Sequence, residues 1–91
     1  MEYEFHFIIA GRVQGVGFRF LAKHYADRLG LVGYVRNTQD GNVEICIAGT
    51  EKSAEKLLEI MKKQPPPIQI SSISSMKKPL QKTYTSFDIF F

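Results

Sequence analysis

The sequence predicts an α+β fold of the split β-α-β kind, an antiparallel sheet of four to five strands with two helices on one face. Two stretches carry apolar residues at helical spacing, and runs rich in β-branched and aromatic residues flank them. The order along the chain is strand, helix, strand, strand, helix, strand, strand, a doubled β-α-β. An Asp40-Gly41 pair between the second and third strands marks a tight hairpin, because glycine supplies the positive φ such a turn needs. The length of 91 residues suits one domain, 1–91, around a single core.

Residues 3–10 form the first strand, with Phe5, Phe7 and Ile9 on one face and His6, Ile8 and Ala10 on the other. Both faces are largely apolar, so this strand belongs in the sheet interior. In the first helix, Phe18, Leu21, Ala22, Tyr25, Ala26 and Leu29 make one stripe, Gly30 stops it, and Leu31 suits the apolar contact after such a stop. Strands follow over 31–38 and 42–48, the latter lined by Val43, Ile45 and Ile47. Thr50 caps a second helix with Glu51 at the positive end of its dipole; Ala54, Leu57, Leu58 and Met61 face inward, and Lys62-Lys63 suit its C-terminal end. Pro65-Pro66-Pro67 ends that helix, and Ile68, Ile70 and Ile73 alternate as a fourth strand. Residues 77–82, with Pro79, read as a loop and 83–91 as a last strand.

Composition excludes several function classes. Hydrophobic content of 44% with 23% charged residues is that of a globular chain rather than a disordered one. A formal charge of +3 suits a small anionic ligand but falls short of the dense basic patch of a nucleic-acid binder. The single cysteine, Cys46, cannot form an internal disulfide and fits a reducing compartment. The start of the chain is acidic, and no apolar run is long enough for a leader or a membrane span, so the reading is a soluble cytoplasmic protein. No acidic pair has a spacing suited to a metal or to glycoside hydrolysis.

The chemistry concentrates in Gly11-Arg12-Val13-Gln14-Gly15-Val16-Gly17-Phe18-Arg19, which leads from the first strand into the first helix. A glycine-rich turn at a helix N-terminus leaves backbone N–H groups free to face an anion, and Arg19 adds a planar, permanently charged fork. Neither a Walker loop nor a dinucleotide fingerprint fits these residues: Val16-Gly17-Phe18 replaces Gly-Lys-Ser/Thr, and Phe20 stands where a small residue is needed. Element lengths supply a partner. The first helix descends about 18 Å at roughly 1.5 Å per residue, and the next strand climbs about 20 Å at roughly 3.3 Å per residue. Asn37 therefore returns to the level of Arg19.

Read together, Gly11–Arg19, the block Gly33-Tyr34-Val35-Arg36-Asn37-Thr38 and the block Asp40-Gly41-Asn42-Val43-Glu44 closely resemble the acylphosphatase family. The resemblance covers essentially the whole chain, including the break near Pro65, and is weakest in the second helix and the C-terminal third. It implies a ferredoxin-like fold and a hydrolase that splits carboxyl-phosphate anhydrides into a carboxylate and inorganic phosphate without metal or cofactor. By motif match, Arg19 is the phosphate-binding catalytic arginine and Asn37 positions the attacking water. The amides of Gln14, Gly15, Val16, Gly17, Phe18 and Arg19 form the phosphate cradle, and Thr38 supports the site.

Residue chemistry agrees. The leaving carboxylate needs little acid catalysis, so positioning and neutralising the phosphoryl oxygens carry the reaction. Asn37 does not titrate usefully and can only orient water. His6 and His24 lie too far down their elements for acid–base work, Arg36 points to the opposite sheet face, and Tyr34 reads as packing. The terminal Phe87-Asp88-Ile89-Phe90-Phe91 departs from the tyrosine- or arginine-bearing end of many family members, which puts terminal contacts to the site in question. The expected partner is a small acyl phosphate, with no nucleic acid or membrane, and the expected state is a monomer. Three rivals remain. The N-terminal domain of the hydrogenase-maturation carbamoyltransferase carries a similar block, but Phe20-Leu21 lacks the proline that often follows the arginine there. An RNA-binding module of this topology needs stacking aromatics that Asn42–Ala48 lacks. A non-catalytic phosphate or anion sensor of the same fold would keep the cradle without turnover.

Overall fold

The structure, a computed structural model, describes residues 2–91, so Met1 of the acidic start lies outside it. The elements are β1 (Tyr3–Arg12), α1 (Phe18–Leu29), β2 (Val32–Asn37), β3 (Val43–Gly49), α2 (Glu51–Lys62), β4 (Gln69–Pro79) and β5 (Phe87–Phe90), in the order expected. All five strands join one sheet ordered β4-β1-β3-β2-β5. β3 lies antiparallel between β1 and β2, so these two run parallel to each other, as a split β-α-β unit requires. β4 is antiparallel to β1, whereas β5 is parallel to β2, so the fifth strand makes the sheet mixed. The cause is connectivity. β4 and β5 occupy opposite edges, and the chain between them crosses the sheet before climbing beside β2.

Strand alternation builds the core. Phe5, Phe7 and Ile9 pair with Ile47, Ile45 and Val43, Val35 faces Ile45 from β2, and all seven are buried. Phe18, Ala22 and Ala26 of α1 and Ala54, Leu57, Leu58 and Met61 of α2 close over them. Truncating one such side chain, Ile45→Ala for example, should cost about 2–5 kcal/mol. Leu29 is the exception in the predicted stripe, at 38% exposed. It is the last residue of α1, where Gly30 N–H bonds to Asp27 O at 3.1 Å and Leu31 N–H to Ala26 O at 2.9 Å. That closing turn hands the apolar contact to Leu31, which packs against the core. Thr50 caps α2 as expected, accepting from Ser53 N–H at 3.3 Å.

Three strand boundaries depart from the sequence reading. β1 continues past Ala10 to Arg12 through a bulge at Ala10/Gly11. A Cβ at position 11 would fall 2.1 Å from the Gln69 carbonyl oxygen, so only glycine permits this approach of β4. Residues 77–79 are strand rather than loop: Lys77, Lys78 and Pro79 pair with Phe5, Glu4 and Tyr3. An edge strand tolerates a proline with no N–H to give, and lysines there discourage further pairing. The last strand is shorter than 83–91, because the crossing segment takes up Tyr84. Among the described residues no helix is long and apolar enough to cross a membrane.

Candidate active site

The loop between β1 and α1 is pinned at both ends by buried side chains, Val13 and Phe18, while Gly15 and Gly17 stay at the surface. Gly15 and Gly17 adopt left-handed φ of 73° and 80°. Nothing lies within 4 Å of where a Cβ would sit at either, so conformation rather than space requires glycine. Gly17 caps α1 without a side-chain bond, and the first helical bond runs from Leu21 N–H to Gly17 O at 3.1 Å. The amides that open α1 ahead of Leu21 have no acceptor within the helix, and the positive end of its dipole favours an anion there.

The structure brings Gln14 and the β2–β3 turn together. The Gln14 side-chain amide donates to Thr38 O at 3.0 Å and Asn42 O at 2.7 Å. Sequence reading gave Gln14 only its backbone N–H. A primary amide between glycines, at the sheet end to which the element lengths return Thr38, was the available signal for its second task. Thr38 works inside that turn: its hydroxyl donates to the Asp40 carboxylate and accepts Asn42 N–H at 3.1 Å, and its N–H bonds to Asn42 O at 2.9 Å. The Thr38 hydroxyl holds the Asp40 carboxyl below the usual carboxylate range.

Asn37 ends β2 opposite Val43, on the helix-bearing face of the sheet. Its Oδ1 is buried and accepts no hydrogen bond from the described residues. An orphaned acceptor of this kind is costly, which marks a side chain kept for something other than packing. Arg19 emerges from the first turn of α1. Its Nη1 donates to Phe90 O at 3.2 Å, and its guanidinium carbon sits 4.9 Å from the Phe91 ring centroid. The C-terminal residues therefore do reach the site, through a backbone carbonyl and a ring face rather than a polar side chain. Phe90 is itself held by Tyr34, whose ring stacks on it at 4.8 Å, which is the packing role expected of Tyr34.

Other candidates stand elsewhere. Arg36 lies on the helix-free face, where its Nε donates to Glu44 Oε1 at 2.6 Å. His6 lies on the same face, held by Glu4 and Glu44. His24 packs edge-on against Tyr25 at 5.0 Å. Lys62 pairs with Glu59 at 3.5 Å in the last turn of α2. A hollow of about 970 Å³ lies between α2 and β4, and none of residues 14–19 or Asn37 lines it.

Fold and loop together define a ferredoxin-like α+β protein with a glycine-rich strand-to-helix loop at one end of its sheet. The acylphosphatase family profile matches residues 5–89. An acylphosphatase of Bordetella bronchiseptica is 38% identical over 82 residues, 90% of this chain and 87% of that one. One from Bacillus velezensis is 37% identical over 86 residues, covering 94% and 96%. The crystal structure of acylphosphatase from Bacillus subtilis superposes with a TM-score of 0.89 at 34% identity, covering all of both chains. The chain belongs to the acylphosphatase family.

Proposed function

We propose that this chain hydrolyses small acyl phosphates without a metal, using the loop 14–19, Arg19 and Asn37. The observation that carries this reading is the turn, left-handed at Gly15 and Gly17, that delivers the amides of residues 14–19 to the N-terminus of α1 with Arg19 in its first turn. Phosphoryl oxygens accept from those amides and from the guanidinium, which neutralises them and fixes the phosphorus in place. Asn37 orients a water for in-line attack. The new bond joins water oxygen to phosphorus, and the bond from phosphorus to the acyl oxygen breaks with its electron pair leaving on the carboxylate. The water proton passes to a phosphate oxygen of the substrate, so no protein base is needed. Both histidines lie away from the loop, which agrees with that route. We read the protein as a cytoplasmic monomer with no nucleic-acid or membrane partner, on the strength of its modest +3 charge and single unpaired cysteine.

Hydrolysis of benzoyl phosphate in excess chelator tests the proposal, with undiminished turnover expected. Phosphate binding without any hydrolysis would make the chain an anion sensor, and hydrolysis lost to the chelator would overturn the metal-free route.

A further inference from the structure

On the helix-free face, remote from the loop, β1 and β3 bring together residues that are scattered in sequence. His6 pairs directly with Cys46 across the two strands, and Glu4 stands two residues before His6 on the same face. Glu4 Oε1 lies 3.0 Å and Cys46 Sγ 3.8 Å from the same ring nitrogen, His6 Nε2. All three donor atoms fall within 4.8 Å of one another. The grouping is made by strand register and not by distance along the chain, and it joins one carboxylate to an imidazole and a thiol rather than pairing two acidic residues.

We propose that Glu4, His6 and Cys46 form a binding site for a divalent zinc-type cation, separate from the hydrolytic site. A tetrahedral ion with N and O ligands at about 2.0 Å and sulfur at about 2.3 Å sets its donor atoms roughly 3.3–3.6 Å apart. The two distances from Nε2, 3.0 and 3.8 Å, bracket that range. A mixed sulfur, nitrogen and carboxylate set suits zinc or cobalt better than magnesium or calcium.

The surroundings are those of a metal site. His6 Nδ1 lies 3.1 Å from Glu44 Oε2, the carboxylate that orients a metal-binding imidazole, and Arg36 holds the other Glu44 oxygen at 2.6 Å. Gln81 N–H fixes the second oxygen of Glu4 at 3.2 Å. The buried Cys46 Sγ stands between two groups, 3.8 Å from His6 Nε2 and 3.9 Å from the Tyr84 hydroxyl. Binding transfers the thiol proton of Cys46 to solvent, and the fourth position is left to water.

Titration of the metal-stripped protein with Co²⁺ and Zn²⁺, followed by absorbance and by thermal melting, tests the site. The expected result is one equivalent bound, with a thiolate-to-cobalt charge-transfer band and a rise in Tm with either ion. Cys46→Ala should lose the band, His6→Gln should lose binding, and Glu44→Gln should weaken it by about 10- to 100-fold. Circular dichroism shows whether each variant has folded, and benzoyl phosphate hydrolysis by Cys46→Ala should stay at the wild-type level. No band and no Tm shift in the wild-type protein would overturn the proposal, as would binding that persists in both folded Cys46→Ala and His6→Gln. Either result would leave the cluster as an ion-pair network alone.

Discussion

Arg19 Nη1 donates to the carbonyl oxygen of Phe90 at 3.2 Å, 71 residues along the chain, while the Phe91 ring lies against the same guanidinium. Those contacts tie Arg19, the arginine proposed to bind phosphate, to the parallel edge strand β5. A guanidinium held at one N–H and across one face keeps its remaining donors free for an anion and is already partly ordered. Phe91→Ala removes the ring contact and leaves the backbone bond. A cation–π contact at an exposed site is worth about 0.5–1 kcal/mol, so inorganic phosphate should bind roughly 2- to 5-fold more weakly. Calorimetric titration of phosphate checks this, and unchanged affinity would show that the ring contributes nothing to the site.

Gln14 is the brace between the cradle and the β2–β3 turn. Gln14→Ala leaves the carbonyls of Thr38 and Asn42 without its two hydrogen bonds. The loss should destabilise the fold by about 1–3 kcal/mol and lower kcat/KM, because the loop and Asn37 lose their common reference. Gln14→Glu should be worse, since a carboxylate would face two carbonyl oxygens. Urea unfolding and steady-state kinetics on the same variants separate the two effects. Full stability in Gln14→Ala would mean that the brace is idle.

Arg19 and Asn37 should fail differently. Arg19→Ala removes charge-assisted bonds to the phosphoryl oxygens and should weaken phosphate binding by roughly 10- to 100-fold, with turnover falling too. Asn37→Ala should bind phosphate nearly as the wild type does, yet lose roughly 100-fold or more in kcat. Wild-type turnover in the Asn37 variant would remove its water-positioning role.

Much of this was legible from local chemistry. The α1 stripe from Phe18 to Ala26, the Asp40-Gly41 turn and the Thr50 cap depend on neighbours in sequence, and each stands where its residues dictate. The shared level of Arg19 and Asn37 needed only element lengths. What escaped depends on the sheet as a whole. Pro79 and Lys77 look like loop residues, and only the edge position of β4 makes them acceptable in a strand. The contact of Arg19 with Phe90 follows from β5 joining β2 and not another edge, which no residue of 87–90 announces. The Glu4–His6–Cys46 grouping needs the register of β1 on β3.

Alkali should loosen the helix-free face. Burial pushes the Cys46 thiol up from 9.0 to about 11 and the Tyr34 hydroxyl up from 10.0 to about 12. Tyr84 is raised as well, with burial the largest cause. In each case the unfolded chain releases its proton first. The stabilisation is therefore complete below the ordinary values and is lost as pH rises toward the folded ones. The urea midpoint should be level up to about pH 9 and fall above it. Cys46 should resist iodoacetamide at pH 8 in the folded protein and react on unfolding. Fast alkylation of the native protein would contradict both the burial and the raised thiol.

Glu44 governs the acid side. It is 8% exposed, and burial alone would raise its pKa, but hydrogen bonds from His6 and Arg36 outweigh that and hold it below 4.5. A depressed carboxylate stabilises the fold above its unfolded pKa, and that contribution disappears as pH falls through the lower folded value. Glu44→Gln removes the carboxylate that Arg36 and His6 hold and should cost about 1–3 kcal/mol at pH 7. Arg36→Ala should cost less, because the Arg36 side chain is half exposed and its pair is partly screened by water. The decisive comparison is the slope of stability against pH below 4.5, which should be shallower in Glu44→Gln than in the wild type. Equal slopes would mean that other carboxylates carry the acid sensitivity and that the His6–Glu44–Arg36 chain contributes little to folding.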